Sequence, residues 1–205
     1  LVLANVFVNN ITPFGNIGGE AAITYILSKI TGENSGKIFS MVLLASLINF
    51  LPLASLLAAG LIMAGYWKSV LLIFLASAAV ILDFREALEI FSDEKSLLAG
   101  LLVFSHSWLI FDVSSVILIG YAYGLDLLSP LIIVVIPLAR VANYVPTPGG
   151  SGPYEVALAG LLHFFLGVSV AEGVLVAVSY RVLTYYIGLL LGYFSLNLLV
   201  SRKSI

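Results

Sequence analysis

Two stretches of this 205-residue chain carry the same chemistry-bearing phrase 135 positions apart. Thr12-Pro13-Phe14-Gly15 leads through Gly18 and Gly19 to Glu20 and Ala22; Thr147-Pro148-Gly149-Gly150 leads through Gly152 to Glu155 and Ala157. Five of the eleven positions from Thr12 to Ala22 are identical in the second copy without a gap, which chance does not readily produce. Glycine lets the backbone turn with positive φ or approach a ligand, and proline stands where no amide donor is needed. The residues after each acid, 21–27 and 156–162, read as helical. Glu20 and Glu155 then fall in the first turn of a half-helix, where the positive end of the dipole favours a carboxylate. Each acid could be a plain helix cap, but its recurrence at the same place in both copies favours a binding role. The free amides of such a turn could hold an anion such as a lipid phosphate, and the carboxylates could pair with Arg or with a cationic headgroup.

Asp112, Arg140 and Arg181 interrupt otherwise apolar runs. Each costs about 2.5–3.5 kcal/mol at a bilayer centre on an insertion scale, so each should face protein or water. Mutual pairing is the economical arrangement, with Asp112 contacting Arg181 or Arg140, either as a structural pair or as part of a substrate path. Ser105, Trp108, Asp112 and Ser115 share one helical stripe, and Arg181, Thr184, Tyr185 and Gly188 form a comparable face. Gly188 and Gly192 make a small-xxx-small pair suited to helix packing. His106 and His163 read as polar residues at packed or interfacial positions. No nucleophile has a base at usable spacing, and two His with no Cys offer no metal framework, so neither an enzyme nor a cofactor is expected.

These residues need a lipid-embedded scaffold. Hydrophobic residues make up 61% of the chain and charged ones 10%, more apolar surface than a soluble domain can hide. A net charge of −2 and the lack of any Lys/Arg cluster exclude a nucleic-acid partner. Apolar runs of spanning length occupy 37–66, 68–84, 97–124 and 171–200, with broken segments at 1–30 and 127–166. Each 30-residue run would be roughly 45 Å long against a core of about 30 Å, so it must tilt, kink or protrude, and Pro52 supplies a kink in the first. Residues 85–96 suit a short interfacial helix. Tyr66, Trp67, Tyr121 and Tyr123 fall near span ends, as an aromatic belt requires.

Lys29, Lys37, Arg85, Lys95, Arg202 and Lys203 lie in loops of one parity, against Lys68 alone in the other. Placing the six in the cytoplasm makes 127–166 a hairpin entering and leaving on the external face, and the first broken segment a hairpin entering from inside. Three intervening spans give the two copies opposite orientation, an inverted repeat whose breaks point to a transport site. Repeat unit one covers about 1–66 and unit two about 127–200, within a single transmembrane domain 1–205. Residue 1 opens inside an apolar stretch with no Met and no positive leader, so a helix preceding Leu1 is expected.

With its preceding Thr-Pro, the Gly-Gly-Glu phrase joins the run from Pro146 to Glu155 and the pair Tyr180-Arg181 in a pattern that resembles the membrane domain of the lysylphosphatidylglycerol synthase/flippase family, over nearly the whole chain. Carried over residue by residue, that family's glycines and acid fall on Gly149, Gly150, Gly152 and Glu155, and its later Arg on Arg181. Ile23, Thr24 and Tyr154 stand where members often have Arg, which removes positive charge from the site. The resemblance implies a multispanning flippase for aminoacylated or anionic phospholipids, or the membrane part of a system handling lipid-linked sugars. Without a soluble synthase domain this chain would not aminoacylate lipid by itself.

The expectation is thus an all-α polytopic bundle of the cytoplasmic membrane, with two inverted re-entrant hairpins each followed by a long tilted helix. Glu20, Glu155, Asp112, Arg140, Tyr180 and Arg181 would line a lipid-translocation path. Membrane lipids are the expected partners, with a second copy or a separate lipid-synthesising enzyme as further ones. Rival readings are an ion-coupled transporter of a small solute and a non-catalytic membrane subunit of a lipid-modifying or glycosyltransferase system.

Overall fold

The computed structural model describes residues 2–11, 17–48, 50–66 and 95–202, and every regular element among them is helical. Helices α1 (Val2–Ile11), α2 (Ile17–Thr31), α3 (Ser35–Ile48) and α4 (Phe50–Met63) form the first part. Then come α5 (Lys95–Ala122), α6 (Ile132–Val141), α7 (Pro153–Leu166), α8 (Val170–Arg181) and α9 (Ile187–Arg202). A π-helical turn over Val182–Tyr186 joins α8 and α9 into one long rod.

Local sequence explains the boundaries. Pro153 opens α7 at a position where its missing amide is no loss, and Gly167 closes it in the left-handed conformation. Ser169 and Glu172 cap α8 reciprocally, each side chain meeting the other's backbone amide. In α5, Phe104, Phe111 and Phe111's neighbour one heptad on, Leu118, are about 70% exposed, whereas Leu109, Asp112 and Val116 on the opposite side are buried. Such an apolar outer stripe suits lipid and not water. Ala99–Ala122 and Val170–Leu198 are long and apolar enough to cross a membrane, and only 22% of an 18-residue apolar stretch in each is buried within the chain.

The 135-residue offset reappears in the element boundaries. Shifted by it, α2 becomes 152–166 against α7 at 153–166, and the start of α3 lands on the start of α8. Even the closing glycines correspond: Gly32 N–H bonds Ser28 O and Gly167 N–H bonds His163 O, both glycines having positive φ. Packing is reciprocal, for α1 lies on α9 while its counterpart α6 lies on α4. Small residues allow both crossings. A methyl group on Gly192 would stand 2.6 Å from the carbonyl oxygen of Leu3, and one on Gly60 would stand 2.6 Å from Val134 Cγ2.

The runs expected at 97–124 and 171–200 are therefore helices, and 37–66 is helical on both sides of residue 49. Pro52 lies fully buried within α4. The segment 127–166 is two helices joined by short 3-10 turns at Ala142–Tyr144 and Pro148–Gly150. The expected span 68–84, the interfacial stretch before Lys95, and Thr12, Pro13 and Gly15 lie outside the described residues. Gly18 and Gly19, expected ahead of the half-helix, belong to the first turn of α2.

Candidate functional site

Arg181 organises the second glycine turn. It ends α8, and the chain there swells into the π turn, a feature that often marks functional positions. Its Nη2 donates to Asn143 Oδ1 at 2.9 Å and to the carbonyl oxygens of Gly149 and Gly150 at 3.1 and 3.0 Å. Nε stands 3.1 Å from Glu155 Oε1, an ion-pair contact along which the N–H is not aimed, since Nε makes no hydrogen bond. The other oxygen of Glu155 accepts from Gly152 N–H at 2.8 Å. Glu155 thus caps α7 and neutralises Arg181 at once. The guanidinium lies against the rings of Tyr154 and Tyr185, 4.4 and 5.4 Å from their centroids.

The turn cannot be built from other residues. Gly149 and Gly150 both have positive φ, and a Cβ on Gly150 would lie 2.6 Å from Asn143 Cα. Close approach of backbone to backbone is what aims two successive carbonyls at one guanidinium.

Beside this lies a second charged cluster. Arg140, late in α6, donates through Nε and Nη2 to Asp112 Oδ2 on α5, the Nε bond being 2.6 Å long. Tyr180 Oη donates to the other carboxylate oxygen and accepts from Arg140 Nη2 at 3.3 Å. The Arg140 guanidinium packs on the Trp108 ring at 3.9 Å, one turn before Asp112. Tyr154 and Tyr180 stack at 5.7 Å and join the two clusters. Both clusters line a cavity of about 460 Å³, closed on another side by Val6, Asn9 and Asn10 of α1. Tyr185 Oη donates to the carbonyl of Asn10 at 2.9 Å, tying α1 to this wall.

Of the residues expected in a shared path, Asp112, Arg140, Tyr180, Arg181 and Glu155 come together, and Asp112 takes Arg140 as its partner. Glu155 reaches them only through Arg181 and, like Glu20, is not among the residues around the cavity; Glu20 Oε1 instead accepts from Ser46 Oγ on α3 at 2.5 Å. Ser115 returns its hydroxyl to Phe111 O of its own helix. His106 spans Leu102 O and Ser55 on α4, and His163 meets Val168 O, so both serve packing. Among the described residues no group of His and acids could hold a metal. Sequence reasoning missed Asn143, Asn10 and the π turn. The two asparagines did leave a signal, since each is an amide inside an apolar limb close to a glycine phrase.

A family model described as the lysylphosphatidylglycerol synthase TM region matches residues 1–192, and no curated protein and no solved structure matches the chain. The match and the lipid-suited helix faces make this a membrane protein.

Proposed function

We propose that this chain, which belongs to the lysylphosphatidylglycerol synthase TM-region family, is a multispanning lipid translocase of the cytoplasmic membrane and not an enzyme. Its substrate would be a phospholipid whose headgroup passes through the cavity while the acyl chains stay in lipid. One observation carries the reading. Two arginines and Asp112, expensive in hydrocarbon, line a cavity of about 460 Å³ built from α1, α5, α6, α7 and α8, and Glu155 stands beside Arg181 as its counter-ion. That volume lies within the roughly 300–1,000 Å³ typical of small-ligand sites.

The alternation of Lys and Arg between loops, together with the common offset of the elements, supports two inverted re-entrant hairpins that meet at this cavity. In this reading Arg140, Asp112 and Tyr180 face the headgroup, while Arg181 and Glu155 hold the Pro-Gly-Gly turn that forms the wall. Glu20 plays the matching structural part in the first unit.

Reconstitution with a fluorescent phospholipid tests it. The wild-type chain should scramble the probe between leaflets, Arg140→Gln should return the rate to that of protein-free vesicles, and Glu20→Gln should keep most of it. Equal flux in wild type and Arg140→Gln would overturn the reading.

A further inference from the structure

The two cations of the cavity are held in opposite ways. Arg181 is committed to the fold through three oxygens on one nitrogen and a glutamate beside another. Arg140 directs Nε and Nη2 at a single carboxylate oxygen, Asp112 Oδ2, and its Nη1 has no hydrogen-bond partner among the described residues. It packs on Trp108, a ring that is half exposed. An incoming oxyanion could therefore take the same face of Arg140 without disturbing the glycine turn.

We propose that the cavity binds a singly charged phosphodiester by exchange: the anion takes Arg140 from Asp112, and Asp112 takes up one proton in the same event. The inference rests on the translocase reading and adds its ion coupling. Charge balances on both sides. Before binding, Arg140 and Asp112 sum to zero; afterwards Arg140 and the phosphodiester sum to zero, and the carboxylic acid is neutral. Without the proton, a carboxylate only 6% exposed would lose its counter-ion, which is strongly unfavourable. Tyr180 suits both states, since a hydroxyl donates to a carboxylate and accepts from a carboxylic acid.

The groups that face Asp112 are Arg140 from α6 and Tyr180 from α8, with Tyr154 of α7 stacked on Tyr180 in the same cavity wall. The remaining charges of this wall, Arg181 and Glu155, neutralise one another. His106, on the same helix as Asp112, is turned to Ser55 and takes no part.

Calorimetry of the detergent-solubilised full chain with glycerophosphoglycerol, the deacylated diester, reads the exchange. Titration near neutral pH in two buffers of different ionisation enthalpy should reveal close to one proton taken up per anion bound. Affinity should fall about tenfold per pH unit on the alkaline side, the slope for one linked proton. Asp112→Asn should bind the diester with no proton uptake and no pH slope. Absence of diester binding by wild type, binding without proton uptake, uptake that persists in Asp112→Asn, or uptake with inorganic phosphate but not with the diester would each overturn the proposal. The wild-type titration decides without any variant. Lipid scrambling by a wild-type chain that takes up no proton would remove the exchange and leave the translocase reading, and the reverse pattern would do the opposite.

Discussion

Glu155 and Arg181 stand 3.1 Å apart across α7 and α8, and the residues 135 positions before them, Glu20 and Ser46, are joined at 2.5 Å across α2 and α3. The same pair of positions is bridged beside both copies of the phrase, yet only the second copy has a cation there. The acid is therefore a fixture of the half-helix, placed in its first turn by the glycine phrase, and what differs is the partner from the following long helix. With serine opposite, Glu20 meets a neutral donor. With arginine opposite, Glu155 becomes half of a charge pair that also pins two carbonyls.

That difference predicts unequal responses to the same substitution. Glu20→Gln keeps an acceptor for Ser46 Oγ and should cost at most about 1.5 kcal/mol, the scale of one hydrogen bond. Glu155→Gln leaves Arg181, 10% exposed, without its counter-ion and should cost about 3 kcal/mol or more. Thermal unfolding in one detergent measures both, and equal shifts would contradict the assigned roles.

The Asp112–Arg140 pair should show strong coupling in a double-mutant cycle. Asp112→Asn alone strands Arg140, 15% exposed, and Arg140→Gln alone strands Asp112, 6% exposed, and each should destabilise by about 3–5 kcal/mol. The double variant removes both charges and should recover most of the loss, since a buried pair contributes little net stability over neutral groups. Additive losses would mean that the two side chains do not depend on each other.

Gly150 and Gly152 separate strain from crowding. Both have positive φ, but a Cβ on Gly150 would meet Asn143 Cα and Oδ1 at 2.6 and 2.7 Å, while one on Gly152 would meet nothing within 4 Å. Gly152→Ala should then cost backbone strain alone, about 1–3 kcal/mol, because its φ of 90° and ψ of −68° lie in a sparsely populated region. Gly150→Ala should also displace the two carbonyls from Arg181 and unfold the turn. Comparable melting temperatures for the two variants would show that the turn has room to relax.

Much of this arrangement could be read from the residues. The long apolar runs gave α5 and the α8–α9 rod because hydropathy and length leave few alternatives in lipid, and the repeated phrase placed Glu155 in the first turn of α7. Cost in hydrocarbon also brought Asp112 to an arginine. Which arginine it met was not legible, because a choice between Arg140 and Arg181 depends on how α6 rotates against α5, and periodicity on one helix carries no information about the next. The partner of Glu20 was not legible for a related reason. Identity of sequence between the copies fixed its helical position, but its surroundings were set by Ser46, a residue that does not repeat. The π turn was invisible because Val182 to Tyr186 has ordinary helical composition, and the tertiary contacts of Tyr185 within it are not written in one helix's periodicity.

Tyr185 makes the last of these points testable. The π turn carries its ring over the Gly149 position and its hydroxyl to the main-chain carbonyl of Asn10, at the end of α1, so a single side chain late in the sequence holds the first helix. Tyr185→Phe removes only the hydroxyl. Hydrogen bonds of side chains in membrane proteins average about 0.6 kcal/mol and reach about 1.7, so the melting temperature should move little. The lost bond lies at one place, however, and its effect should be local. Amide exchange in α1 should quicken several-fold in Tyr185→Phe, while exchange in α7, whose cap depends on Gly152 and Glu155, should stay as in wild type. Unchanged protection in α1 would show that its seat on α9 at Gly192 suffices without the tyrosine, and would remove Tyr185 as the tie between the units.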